Sequence, residues 1–198
     1  MKWFDRYCVL DVETTGLNIE DEIVQLAVVG YENGMVIDSR CVTLNPGIPI
    51  PEAASNIHGI TDERVRDKPR LVDIAPRIVE HLRQYDVMVI YNAPFDLGFM
   101  VRCCPGFGDL THRVIDPMIV AKQHDEIRES GRFKLTALYE RMGLPRVDGD
   151  AHNALTDAKM AGNVAWAQRE MLPEDSYEAS NACWMWRTFQ EAKWKRTR

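Results

Sequence analysis

The chain has little of what spans membranes, builds disulfide frameworks or coats nucleic acid by charge. No run approaches the ~20 continuous apolar residues that cross a bilayer. The opening Met1-Lys2-Trp3-Phe4-Asp5 lacks the charged, then apolar, then small layout of a secretory leader. Cysteine is scarce, with five residues at Cys8, Cys41, Cys103, Cys104 and Cys183. They are odd in number and form no Cys-x-x-Cys pair, which speaks against a disulfide framework or a structural zinc site and for a reducing, cytoplasmic setting. Cys8 and Cys41 lie in apolar runs and read as small core residues. Cations are outnumbered: 24 Lys and Arg against 30 Asp and Glu give a formal charge of −6. That balance suits no protein that coats long duplex by charge alone. A protein that holds a few nucleotides is still compatible with it, above all where metal ions neutralise its carboxylates. There is also no Gly-rich phosphate cradle and no Ser or Cys nucleophile with an evident base.

What is present is enough for one good core. Of the 198 residues, 45% are apolar, and at roughly 150 residues per domain two large domains do not fit. The first half reads as strands, over residues 7–12, 22–31 and 35–44. Asn33-Gly34 joins the last two as a hairpin turn, because both residues tolerate positive φ. The Pro-rich stretch 45–51 cannot continue a sheet. Ile74, Ile78, Val79, Leu82 and Tyr85 then form one helical stripe, with Asp73 as its cap and Pro76 in its first turn. Residues 87–91 read as a strand buried on both faces. A helix from Pro94, a strand near 113–115, and helices over 134–142 and 153–169 follow. The pattern predicts an α/β fold with a mixed sheet. The domain is expected to occupy residues 1–171, with 172–198 a helical appendix ending in a basic tip. That appendix carries Trp184, Trp186 and Trp194, and four of its last six residues are cationic. It reads as a helix packed on the core with a solvated tip, or as a surface that stacks nucleic acid or docks a partner.

Three constellations carry chemistry. In Val9-Leu10-Asp11-Val12-Glu13-Thr14-Thr15-Gly16, strand alternation projects Asp11 and Glu13 from one face. Two such carboxylates at the end of an apolar strand are costly unless a hard cation lies between them or water reaches both. In Tyr91-Asn92-Ala93-Pro94-Phe95-Asp96, Asn92 reads as a helix cap and Pro94 as a first-turn residue. Asp96 then sits in a first turn at the mouth of the sheet, a position the helix dipole alone would favour. In Asp150-Ala151-His152-Asn153-Ala154-Leu155-Thr156-Asp157, His152 and Asp157 are five apart, about 140° off a shared helical face. If both serve one site, His152 precedes the helix, on the loop containing Gly149, where a mobile imidazole suits a general base. Each constellation alone is a weak signal. Together, four carboxylates and one His give the layout for activating water against a phosphodiester with two hard cations.

These three segments resemble the exonuclease motifs of the DEDDh 3′→5′ exonucleases, the family that includes the epsilon proofreading subunits of bacterial DNA polymerase III. His58-Gly59-Ile60-Thr61 is similar to the family's His-Gly-Ile-Thr loop, and order and spacing agree from about Cys8 to Ala167. The resemblance implies an RNase H-like fold with a five-stranded mixed sheet flanked by helices. It implies Mg²⁺ or Mn²⁺, two ions per site, ligated by Asp11, Glu13 and Asp157 with Asp96 completing the set. It makes His152 the base, puts His58 on the terminal nucleotide, brings the backbone at Thr14, Thr15 and Gly16 to the 3′ end, and places Asn92 and Phe95 against substrate. Many relatives carry a substrate-contacting Glu five residues before the His; here that position is Ala53, and Glu52 stands one place off. The expected reaction releases nucleoside 5′-monophosphates from single-stranded 3′ ends, in proofreading or repair, with a polymerase or another replication protein as an expected partner. Thr14 stands where the oligoribonuclease branch usually has Met, which favours DNA over RNA. The other readings are an exoribonuclease of that branch and a non-catalytic subunit that binds nucleic acid or a polymerase.

Overall fold

The computed structural model describes residues 2–196 apart from Glu126, Arg128, Ser130 and Ala151, with side chains as far as residue 192. Strands β1 (Arg6–Thr14), β2 (Ile23–Glu32), β3 (Met35–Thr43), β4 (Met88–Val89) and β5 (Val114–Ile115) form one mixed sheet in the order β3-β2-β1-β4-β5. β1 runs antiparallel to β2 and parallel to β4, and β4 runs parallel to β5. The hairpin between β2 and β3 turns on Asn33 (φ 50°) and Gly34 (φ 77°), the left-handed pair expected of an Asn-Gly turn. The RNase H-like α/β fold is as the sequence predicts.

Helices α1 (Glu52–His58), α2 (Asp62–Val65), α3 (Leu71–Leu82), α4 (Pro94–Cys103), α5 (Pro117–His124), α6 (Leu135–Arg141), α7 (Ala154–Ala167) and α8 (Ser176–Arg196) surround the sheet. Because β1 and β2 are covered on both faces, their apolar runs are continuous rather than alternating. On one face Cys8, Leu10, Val12, Leu26 and Val28 pack with α3 and α4. On the other, Tyr7, Val9, Ala27, Val29 and Tyr31 pack with α7 and with Ala179 and Cys183 of α8. The β1 parity that places Tyr7 and Val9 under α7 also places Asp11 and Glu13 there. Alanines 154, 158, 161 and 165 let α7 lie close to the sheet.

Several local expectations are corrected. Cys41 is exposed rather than core, because β3 is an edge strand and six of its nine residues, Cys41 among them, are exposed. Asp73 is a first-turn residue and not the cap, which is Arg70. Pro76 is the sixth residue of α3, one turn later than expected. Its missing N–H would have served the carbonyl of Val72, a residue 53% exposed, so the helix continues without burying an unmatched group. Tyr85 lies beyond the helix end but is still buried. α4 is capped by Ala93, not Asn92; the carboxylate of Asp116 grips the N–H groups of both residues and turns Asn92 left-handed. The Lys and Arg side chains of the basic tip, residues 193–198, lie outside the described side chains.

Gly162 sits where α7 crosses Tyr31. The Tyr31 ring stacks on Tyr7 at 5.1 Å between centroids and 2° between planes, and the Tyr7 hydroxyl donates to the Gly162 carbonyl at 3.2 Å. A Cβ at Gly162 would meet the Tyr31 ring at 2.5 Å. Gly162→Ala should therefore lower stability by about 1–3 kcal/mol through overpacking, read as a reduced urea midpoint. An unchanged midpoint would mean that the stacked tyrosines yield freely.

Candidate active site

The site forms at the carboxyl ends of β1 and β4. Asp11, Glu13 and Asp157 each offer an oxygen, and the three oxygens lie within 4.8 Å of one another. Strand alternation supplies the first two, and the start of α7 supplies the third. Gln25, directly across the ladder from Glu13, fixes that start: its side-chain oxygen accepts the Ala154 N–H at 3.0 Å. The Asn153 carboxamide caps the helix by accepting from Leu155 N, and Asp157 N–H donates to Asn153 O at 3.0 Å. Sequence pattern gives no hint of Gln25, because a polar residue within a buried strand is recognised only once its partner is known.

Asp96 stands apart from that trio. It is 3% exposed, and its Oδ1 accepts the N–H of Val12, between Asp11 and Glu13, at 3.0 Å. Its field still reaches Asp11. Burial, then Asp96, Asp157 and Glu13, hold the Asp11 carboxyl well above the usual carboxylate range. Burial and Asp157 push Glu13 up to about 7. Asp96 is raised by burial against the pull of the Val12 N–H, and Asp157 is raised by burial with His152 opposing. Four carboxylates that resist ionisation together lack a positive charge. The buried Asp157 Oδ1 has no hydrogen-bond partner, and hard oxygen ligands of this kind fit a divalent cation such as Mg²⁺ or Mn²⁺.

His152 lies on an exposed turn before α7 with a left-handed φ of 60°, the position its spacing from Asp157 requires. His58 ends α1 rather than lying in a loop. Its Nδ1 accepts the Ile60 N–H at 3.1 Å, so Nε2 carries the proton and faces Thr14 O at 3.3 Å. Burial lowers its pKa, and His152 and Arg64 push the same way. Thr14 is buried, its hydroxyl donating to Gly16 O at 2.6 Å. Thr15 is held by Asp21 and Glu22. A Cβ on Gly16 would strike the Asp21 carboxylate, so this turn takes no larger residue unchanged. Asn92 is exposed and Phe95 partly buried, its ring 5.1 Å from that of Phe99. Glu52 opens α1 and is exposed. The sequence reading also missed Asp116, the buried carboxylate beneath the Asn92 turn. Nothing in the pattern around it separates it from an ordinary helix cap, which it also is.

The five-stranded mixed sheet with an acidic cluster at its strand ends is of the RNase H-like architecture, and comparison with known proteins names the family. The profile of the exonuclease family, of RNase T type, matches residues 8–165, and the chain belongs to that family. The PolC-type DNA polymerase III of Listeria monocytogenes serovar 1/2a is 31% identical over 179 residues, covering 88% of this chain and 12% of that protein. The DNA polymerase III epsilon subunit of Pasteurella multocida is 30% identical over 171 residues, covering 80% of this chain and 66% of that one. The chain thus spans only part of these relatives. Among solved structures, Exonuclease X in complex with 5′-overhanging duplex DNA superposes with a TM-score of 0.73 at 23% identity, over 89% of this chain and 99% of that one. The nuclease domain of 3′hExo, a DEDDh family member bound to rAMP, gives 0.69 at 18% identity, over 84% and 92%. These likenesses carry the fold, and the resemblance to the DEDDh exonucleases and the epsilon subunit holds.

The raised carboxylates set a pH dependence. A carboxyl whose pKa is raised on folding contributes most below its unfolded value and loses that contribution as pH climbs through the folded one. For Glu13 the window runs from 4.5 to about 7. In EDTA, melting temperature should fall across this window more steeply for wild type than for Glu13→Gln. Mg²⁺ or Mn²⁺ should restore it at the upper end. Parallel slopes in the two proteins would remove Glu13 from the strained cluster.

Proposed function

We propose that this chain hydrolyses phosphodiester bonds at the 3′ ends of single-stranded nucleic acid, DNA in preference to RNA, releasing nucleoside 5′-monophosphates in the cytoplasm during replication or repair. The convergence of Asp11, Glu13 and Asp157 oxygens within 4.8 Å carries the reading. Those three carboxylates and Asp96 would hold two divalent cations. When bound, such ions supply a Lewis acid for the attacking water and the leaving 3′ oxygen. His152, beside Asp157 on its exposed turn, takes the proton from that water. The exposed turn leaves the imidazole open to solvent beside the cluster, where a general base can meet the attacking water. His58, with Nε2–H turned to Thr14 O, borders the backbone of Thr14, Thr15 and Gly16, where the terminal sugar would lie. Asn92 and Phe95 would flank the next nucleotide.

The preference for DNA rests on Thr14 and on the relatives, which are named as a PolC-type DNA polymerase III and a DNA polymerase III epsilon subunit; a polymerase is the partner this implies. RNA is the second reading, favoured by the likeness to 3′hExo bound to rAMP and to a 3′-exonuclease solved in 3′-end recognition of a histone mRNA stem-loop. A binding module without chemistry would have no need of all five filled positions. Incubation with 5′-labelled single-stranded DNA and RNA, in Mg²⁺, Mn²⁺ or EDTA, tests these readings together. A metal-dependent ladder shortening from the 3′ end is expected, faster on DNA. His152→Ala should cut turnover by ~10²–10⁴ with cation binding retained, and Asp11→Ala should be at least as severe. Near-normal turnover in His152→Ala would remove it as the base, and the absence of any ladder would leave the binding-module reading.

A further inference from the structure

Beyond the family-matched segment, α8 returns to the site. It is seated on the core by Ala179 and Cys183, by the Trp186 ring edge-on to His124 at 5.7 Å, and by Gln190, which donates to Ile119 O at 3.5 Å. From the docked side of this helix, Arg187 Nη2 donates to Asp116 Oδ2 at 2.6 Å. Asp116 is 1% exposed. Its Oδ1 also accepts from Asn92 N at 3.0 Å and Met118 N at 2.9 Å, and its Oδ2 from Ala93 N at 3.1 Å. Two carboxylate oxygens thus receive four donors.

Those amides are no ordinary helix start. Asn92 and Ala93 form the reversal between the buried β4 run and α4, and Asn92 holds φ at 56°. A non-glycine residue keeps such a backbone only where its surroundings over-determine it. One turn further on, Asp96 reaches across to Val12 N. Charge-assisted contacts therefore run from Arg187 through Asp116 to the Asn92–Ala93 amides, the first turn of α4 carries the link to Asp96, and Asp96 holds the strand bearing Asp11 and Glu13. A buried carboxylate stripped of its cation is costly to keep. Without the guanidinium, Asp116 would draw in water or move toward it, and the reversal would lose its anchor.

We propose that Arg187 is a positioning residue for Asp96: it neutralises Asp116 and so fixes the turn from which Asp96 is presented to Asp11, Glu13 and Asp157. Its effect on turnover rests on the exonuclease reading, whereas its effect on the turn does not. The test compares wild type, Arg187→Met and Arg187→Lys by amide hydrogen exchange, steady-state kinetics and calorimetric titration with Mn²⁺. In Arg187→Met, exchange at Asn92 and Ala93 should quicken about tenfold while the α8 amides near Ala179 and Cys183 keep their protection. Turnover should fall about tenfold with KM little changed, because the strand is still bound but the carboxylate set is loosened. Mn²⁺ binding should weaken. Arg187→Lys should fall between the two, since an ammonium keeps the charge and loses the planar fork.

Wild-type exchange at Asn92 and Ala93 in Arg187→Met overturns the proposal, as does a loss of protection that extends equally through α8. Faster exchange with unchanged turnover overturns the link to Asp96. Should Arg187→Met fail to fold, Arg187→Lys decides, with wild-type exchange and turnover counting against the proposal. If wild type proves inactive on nucleic acid while exchange and Mn²⁺ binding respond as expected, the exonuclease reading fails and the positioning role stands.

Discussion

The mutual repulsion of four carboxylates at the end of a buried strand is the constraint around which the other parts of the site are arranged. A strand as apolar as β1 would lose its core contacts if Asp11 and Glu13 were simply released to water, because the residues between and before them, Val9, Leu10 and Val12, are buried on both faces. The fold keeps the acids and spreads their strain. Asp96 turns its charge onto a backbone N–H, Asp116 onto an arginine and three amides, and Asp157 toward His152. Each device lowers the cost of one group without removing the need for positive charge among the three that converge. This arrangement is the structural counterpart of divalent-metal dependence: a set unstable alone is pre-organised for a cation.

Holding that set rigid falls to pieces distant in sequence. Gln25 on β2 fixes the start of α7 from across the sheet. The stacked Tyr7 and Tyr31, hydrogen-bonded to carbonyls of Gly162 and Lys159, fix its middle. Asp157 thus lies between two points at which its helix is pinned. His152 precedes that helix on an exposed turn, outside the more buried setting of the carboxylates it accompanies.

Much of this was legible in the sequence because it follows from period. Alternation alone put Asp11 and Glu13 on one face, the Asn-Gly pair announced the hairpin, and the five-residue gap forced His152 off the helix that carries Asp157. What was not legible depends on partners remote in sequence. Asn92 looked like a cap because its type favours caps, but Asp116, 24 residues on, takes its N–H and turns it left-handed. Cys41 looked like core because its neighbours are apolar, yet composition does not reveal that β3 is the last strand of the sheet. Pro76 was placed by the rule that proline belongs in a first turn, and an exposed second turn tolerates it as well. Gln25 and Arg187 are single polar residues whose meaning exists only once the chain is folded.

The two rims of the sheet end differently. Along β5 the outer edge is covered by α8, while β3 leaves its backbone open beside Met35, Val36 and Ile37, each at least 47% exposed. An uncovered apolar rim of this sort invites strand-to-strand adhesion between molecules. The register slip opposite Gly30 and Tyr31 bends the rim where it is most apolar, and the Asp38–Arg40 ion pair sets charge at the next residues. Along β3 curvature and charge therefore stand where cover stands along β5, and loss of either would be felt first as self-association.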